Sequence, residues 1–317
     1  MARLLVGLVT LFAFPVVSRA QSLQFTGIER LTNREILVKL SFPAGMHCRI
    51  DACTKLPEWN ALATLQSTGV NHYVDSAAPY LGQRFYRAAN LSGTAPMTGD
   101  HLATTNGDLV IHPINHASFV MSWNGKTIYN DPVGAATLYT GLPRADLILI
   151  SHGHPDHFST TTLNSVTGAT CVIFAPQAVT NSMGAPLRAL TTVMTNGASA
   201  SALGIGIEAV PAYNANHPLG TGNGYVLSLG GKRIYIAGDT GDIPEMRALP
   251  DIDVAFVPMN LPYTMSVPSA ASAVRQFRPK IVYPYHYSPS SPTSDVNLFK
   301  SLVGTDLGIE VRLRKWY

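Results

Sequence analysis

Ser151–Ser159, reading SHGHPDHFS, governs how the rest of this chain is understood. Three histidines and one aspartate fall within six positions, in the order His152, His154, Asp156, His157. The apolar run Ala145–Ile150 (ADLILI) precedes them and reads as a buried strand. Gly153 and Pro155 break regular structure directly after it, so these side chains stand on a loop at a strand end. Two imidazoles at i and i+2 can converge there on one cation. The carboxylate and third imidazole, at i+4 and i+5, point at a neighbouring position. Neutral imidazole and carboxylate are donors that zinc and related divalent ions accept. The bland alternative is a polar surface loop that happens to be rich in histidine. With ten histidines in 317 residues, four ligand-type residues this dense make a poor coincidence.

H-x-H-x-D-H after an apolar strand resembles the signature of the metallo-β-lactamase-fold hydrolases. Later motifs extend the resemblance from about Asn106 to the C-terminus: NHASF (Asn115–Phe119), NDP (Asn130–Pro132), PAYNANHP (Pro211–Pro218), GDTG (Gly238–Gly241) and PYHY (Pro284–Tyr287). It implies an α/β fold of αββα type, two β-sheets face to face with helices outside and the site along one edge. It further implies one metal held by His152, His154 and His217, and a second held by Asp156, His157 and His286. Asp239 would bridge the two. The implied cofactors are two divalent ions, zinc first and manganese as the alternative. Asp131 would accept a hydrogen bond from a ligand imidazole, or else make a strand-end turn. His116 would line the pocket, and His217 has the alternative of an ordinary loop histidine.

By the same resemblance the chemistry is hydrolysis by a metal-bridging hydroxide, with Asp239 holding the cations and Asp156 orienting the nucleophile or carrying its proton onward. Tyr213, Tyr285 and Tyr287 are candidate oxyanion donors or simply packing. YTM (Tyr263–Met265) with PYHY, and GDTG with PEM (Pro244–Met246), resemble the branch containing ascorbate-6-phosphate lactonase. An ester or lactone is therefore the first expectation for a small-molecule substrate, with a phosphodiester as the alternative. True β-lactamases of this fold generally lack the bridging aspartate, so Asp239 counts against antibiotic hydrolysis. A different class of answer is an exported binding protein with a structural metal site. A serine hydrolase is disfavoured, since no G-x-S-x-G occurs in the chain.

Working outward to the N-terminus, Arg3 is followed by the apolar stretch Leu4–Val17 and then by Ser18-Arg19-Ala20. A short basic start, a short apolar core and small residues at −3 and −1 describe a cleavable secretory signal. Fourteen apolar residues fall short of the roughly 20 needed to span a bilayer, so no stable membrane insertion is expected. The expected location is secreted or periplasmic. Without Arg3 and Arg19 the chain carries 20 basic and 19 acidic residues, a neutral balance that gives no electrostatic footprint for nucleic acid.

The expected organisation is a signal peptide over residues 1–20, a small β-sandwich-like module over 22–92, a linker over 93–106 and the hydrolase domain over 107–317. In the module, REILVKLSF, Cys48–Ala52, His72–Val74 and Arg84–Ala88 read as strands. It either binds a carbohydrate or cell-surface partner or packs passively on the catalytic domain. The linker is rich in Ser, Gly, Thr and Pro, and His101 within it is expected in solvent, without a partner. Asn124-Gly125 signals a hairpin between Ser118–Trp123 and Lys126–Tyr129. GTGNGY (Gly220–Tyr225) precedes a strand rather than a helix, so it reads as a turn and not as a phosphate loop. Cys48 and Cys53 lie an odd distance apart, on opposite faces of a strand, and Cys171 reads as a core thiol, so no disulfide is assigned.

Overall fold

The computed structural model describes residues 22–92 and 97–316. The signal-like segment lies outside the described residues. Two compact units divide the described residues, those up to 103 with 108–111, and 104–107 with those from 112 onward.

The first unit is all β. Its strands are β1 (Gln24–Arg30), β2 (Ile36–Ser41), β3 (His47–Cys53), β4 (Asn60–Gln66), β5 (Val70–Asp75), β6 (Phe85–Leu91) and β7 (Gly99–Thr104). β1, β2 and β5 form one antiparallel sheet, while β6, β3, β4 and β7 run side by side in a second. Alternation in β2 sends Val38 and Leu40 inward, where they meet Ile50, Leu62 and Tyr73. The stretch read as a linker holds β7, and His101 on it is not a free surface histidine. Its Nε2 lies 2.9 Å from Thr64 Oγ1 and its Nδ1 2.9 Å from Asp108 Oδ2. Loop-like composition concealed a strand whose polar side chains are answered by distant neighbours.

The second unit contains two facing sheets. The first runs β8 (Gly107–Asn115), β9 (Ser118–Trp123), β10 (Lys126–Asn130), β11 (Ala145–Leu149), β12 (Thr167–Ala175), β13 (Thr191–Val193), with β8 contributed only from His112 onward. The second runs β14 (Ser199–Ala202), β15 (Ile205–Asn214), β16 (His217–Leu229), β17 (Lys232–Ile236), β18 (Val254–Met259), β19 (Ile281–Tyr287), β20 (Glu310–Val311). In each, antiparallel hairpins give way to parallel strands. Asn124 and Gly125 both take positive φ (49° and 70°), the geometry of the tight hairpin expected there.

Aromatic rings join the sheets. Phe119 of β9 stacks on Phe256 of β18 at 4.1 Å between centroids, and Trp316 meets both edge-on. Tyr225 spans the gap by donating its hydroxyl to the Ile150 carbonyl at 2.8 Å. Burying each such ring contributes on the order of 2–3 kcal/mol.

Helices cover the outer faces. α1 (Thr160–Val166) buries Leu163 and Val166, α2 (Gln177–Asn181) buries Val179, and α3 (Ala185–Ala189) buries Leu187. Gly184-Ala-Pro186 separates α2 from α3 and opens the latter, with the proline in the first turn where no N–H is needed. α4 (Pro244–Arg247), α5 (Val267–Phe277) and α6 (Val296–Val303) share the core beneath the second sheet. α5 places Val267, Ala270, Ala271, Val274 and Phe277 on one buried stripe, and Ser266 caps it by accepting the Ser269 N–H.

GTGNGY is not a turn; it lies inside β16. A Cβ on Gly224 would stand 2.9 Å from the Ala237 carbonyl oxygen and 3.0 Å from that of Ile236, so this glycine serves close strand approach. Cys48, Cys53 and Cys171 are buried free thiols, and burial pushes Cys48 and Cys171 up to about 12.

Candidate metal centre

The histidine loop is pinned at both ends. Before it, the Ser151 carbonyl accepts the Asn223 N–H at 2.9 Å. Within it, His154 O accepts from His157 N (3.0 Å) and Phe158 N (2.9 Å), a turn that swings His157 inward. After it, Ser159 caps α1 by accepting the Thr162 N–H. Asp239 arrives from the opposite sheet through Gly238 at φ +65°, where a Cβ would meet the Asn223 carbonyl oxygen at 2.8 Å. His286 comes near the end of β19, its N–H donating to the His116 carbonyl at 3.1 Å.

Backbone conformation is unusual at three of these positions. His116 (φ 54°), Asp131 (φ 40°) and His286 (φ 46°) are all left-handed without being glycine. Such conformations cost about 1–3 kcal/mol each and persist where surroundings over-determine them.

The seven candidate ligands converge. Asp239 Oδ2 faces His217 Nε2 at 3.5 Å and His152 Nε2 at 3.8 Å, and His217 Nε2 stands 3.1 Å from His154 Nδ1. Its other oxygen, Oδ1, faces His286 Nε2 at 3.1 Å and His157 Nε2 at 3.2 Å. Asp156 Oδ2 completes that second group, 3.6 Å from His286 Nε2 and 3.8 Å from His157 Nε2. One carboxylate thus addresses two sets of donors, one with each oxygen. In each set the donor atoms lie within 4.8 Å of one another. His116 adjoins the second set, with Nε2 3.2 Å from Asp156 Oδ2.

These donors fit cations better than they fit each other. Among the described residues, His152 Nε2, His157 Nε2, Asp239 Oδ1 and both ring nitrogens of His286 are buried without a hydrogen-bond partner. Each such atom costs about 1–3 kcal/mol when nothing answers it. Their neighbours fix the tautomers. Asp131 accepts Ser151 N–H and Ser151 Oγ–H, both at 2.7 Å, and His157 Nδ1–H at 2.8 Å, leaving His157 Nε2 bare toward the centre. Having donated to Asp131, Ser151 Oγ can accept from His152 Nδ1 at 3.0 Å, which leaves His152 Nε2 bare as well. Asn214 Oδ1 does the same for His217. Orienting a ligand imidazole in this way raises its basicity.

Charge in the centre follows the same logic. Burial, with His157 beside it, pushes the His152 imidazole down to about 2, and burial also lowers His217, so both stand neutral as ligands require. Burial alone would raise Asp239 and Asp156, but the imidazoles around them hold both below the usual carboxylate range. Burial would likewise lower His157, yet Asp239 and Asp131 outweigh it and raise its pKa. Two buried carboxylates draw positive charge inward.

Beside Asp156 lies a cleft of about 390 Å³ lined by Asn115, His116, Val133, Gly134, Pro155 and Asp156. Two of the three tyrosines face other tasks. Tyr285 is fully buried and its hydroxyl accepts the Gly238 N–H at 2.8 Å; Tyr213 reaches Glu245 at 3.1 Å. Tyr287 is partly buried against the core beneath the second sheet. Ser151 and Asn214 were missed in the sequence, although both orient imidazoles of the cluster. Serine next to the first histidine was visible there; for Asn214 only its place three residues before His217 gave any signal.

A family model described as Beta-lactamase superfamily domain matches residues 111–286, which with the sandwich and cage defines the class. The chain belongs to the metal-dependent hydrolases of the metallo-β-lactamase fold, in the UPF0173 family. It is 33% identical over 211 residues to a UPF0173 metal-dependent hydrolase of Pyrococcus abyssi, covering 60% of this chain and 90% of the relative. A solved structure of a Parabacteroides distasonis protein is 40% identical with a TM-score of 0.61, over 68% of this chain and 97% of that one. A metallo hydrolase from Ignicoccus hospitalis is 25% identical with a TM-score of 0.56, over 65% and 95% respectively.

Proposed function

We propose that this hydrolase is exported, works with two divalent cations and cleaves an ester or lactone of a small molecule. The observation that carries the dinuclear reading is Asp239, whose two oxygens face different groups of donors. His152, His154 and His217 would hold one ion, and Asp156, His157 and His286 the other. Zinc suits this imidazole-rich set, and manganese is the alternative. When bound, such a pair would lower the pKa of water to near neutrality and polarise a substrate oxygen.

The chain's own residues do the rest. Asp239 fixes the spacing of the two donor sets. Asp156, with its side chain 49% exposed at the cleft, offers a carboxylate that would orient the attacking water by accepting its hydrogen bond. That opening toward solvent supports a catalytic centre over a closed structural one. The cleft lining contains no lysine or arginine, which favours a neutral acyl group over a phosphodiester. The pattern of Met1–Ala20 supports export, and the neutral charge balance speaks against nucleic acid as substrate.

Purified protein should contain about two equivalents of metal by plasma mass spectrometry. Activity on a lactone and ester panel should exceed that on bis-p-nitrophenyl phosphate in kcat/KM. Faster phosphodiester cleavage would replace the substrate class; activity that survives complete chelation would end the metal-dependent reading.

A further inference from the structure

Asn214 makes four hydrogen bonds at once. Its Oδ1 accepts the Asn216 backbone N–H at 2.8 Å and His217 Nδ1 at 3.0 Å. Its Nδ2 donates to the Asp239 carbonyl at 3.1 Å and the Tyr263 carbonyl at 2.9 Å. Backbone N–H only donates and backbone carbonyl only accepts, so three of these partners fix which way the amide points. The proton on His217 Nδ1 follows. Asn216 adds a second clamp, donating Nδ2 to the Pro262 carbonyl at 2.7 Å.

The segment so fastened, residues 260–264, is itself a closed turn. Tyr263 N–H and Thr264 N–H both donate to Asn260 O (2.8 and 3.0 Å), and Asn260 N–H donates to Thr264 Oγ1 at 2.7 Å. Thr264 and Met265 are buried and anchor it, whereas Leu261 is 42% and Tyr263 56% exposed. Leu219, two residues past His217 on β16 and so on the same strand face, is 63% exposed. Exposed apolar side chains scattered singly need no explanation. Here two sit on a turn held rigid by five hydrogen bonds, two of them from Asn214 and Asn216 just before a candidate ligand histidine, and the third leaves that histidine's own strand.

We propose that the turn 260–264, together with Leu219, is the subsite for the apolar part of the substrate, an acyl chain or aryl group, and that Asn214 is the positioning residue tying this subsite to His217. This rests on the hydrolytic reading above and adds the substrate class. An acyl carbon at the centre would send its chain over the His217 side, leaving the cleft beside Asp156 for the other half of the molecule. Loss of the turn would then cost long substrates more than short ones.

The test uses the zinc-loaded full protein and p-nitrophenyl acetate, butyrate and octanoate. In the unaltered protein kcat/KM should rise with chain length, and Tyr263→Ala should cut the octanoate-to-acetate ratio about tenfold, mainly through KM. Asn214→Asp keeps the acceptor for His217 and loses both donors. It should retain zinc affinity, measured by competition with a chromophoric chelator, and lose the chain-length preference. Asn214→Ala should also weaken zinc by about tenfold or more. Octanoate titrated calorimetrically reads the subsite without turnover, and Tyr263→Ala should weaken it about tenfold. Unchanged ratios and unchanged octanoate binding in Tyr263→Ala would overturn the subsite while leaving ester hydrolysis standing. Octanoate discrimination without cleavage of any ester would uphold the subsite and sink the ester reading instead.

Discussion

Two constellations in this molecule pair imidazole with carboxylate, and they differ in one respect. In the first unit, Asp108, His101 and Thr64 line up in hydrogen-bonded sequence, an arrangement that on paper resembles an activated nucleophile. Both His101 nitrogens are answered, and Thr64 is only 1% exposed, so no substrate reaches its hydroxyl. In the second unit, buried nitrogens and a carboxylate oxygen converge without hydrogen-bond partners. Saturated donors glue a sheet together; unanswered ones of both charge types, aimed at a common point, demand a guest.

The largest expected effect breaks the second constellation and spares the first. Asp239→Asn should lower kcat/KM by about a thousandfold, a loss of several kcal/mol in transition-state stabilisation, and reduce bound metal as weighed by mass spectrometry. His101→Gln should leave metal content at the wild-type value. Stripping metal tests the same contrast through stability. At free zinc about a thousand times Kd, binding contributes roughly 4 kcal/mol, so chelation should lower Tm by on the order of 10 °C in calorimetry. If Tm does not move, the orphaned atoms are answered by something other than a cation.

A smaller effect probes support rather than ligation. Asp131→Ala frees the tautomer of His157 and should weaken metal about 10- to 100-fold in chelator competition. Asp108→Ala, which removes the equivalent carboxylate beside His101, should leave that affinity alone. Smallest is the pH response of a carboxylate that the protein answers fully. Asp253 accepts from Lys280 Nζ at 2.8 Å and from the Arg233 N–H at 2.9 Å; burial would raise its pKa, but these partners hold it below 3.8. Its folded pKa being the lower one, its contribution is complete above about 3.8 and fades as pH falls further. Asp253→Asn should therefore flatten the acid limb of the unfolding curve, and an unchanged limb would reassign the shift.

How far the sequence carried differs with the range of the interaction. His152, His154, Asp156 and His157 were legible because four donors sit on one loop after one apolar strand. Asp239 and His286 were legible through short motifs at strand ends. Asn214 was not, since a neutral amide announces nothing until Tyr263, 49 positions away, is seen to accept from it. The glycines of β16 were misread for a related reason. Glycine marks a turn and a close crossing alike, and only the neighbouring strand decides between them. β7 and His101 were lost to composition, because Ser, Gly and Thr look like linker until Thr64 and Asp108 supply their partners. β1 and β4 gave no clear alternation, and β1 keeps little buried surface to impose one.

His116, Asp131 and His286 each place a side chain at the candidate centre from a left-handed backbone. Glycine would relax the twist and erase the chemistry; a β-branched residue would fail on both counts. Whoever grafts this cage onto another scaffold must therefore copy its torsions along with its imidazoles, since transplanted side chains on relaxed loops would aim elsewhere.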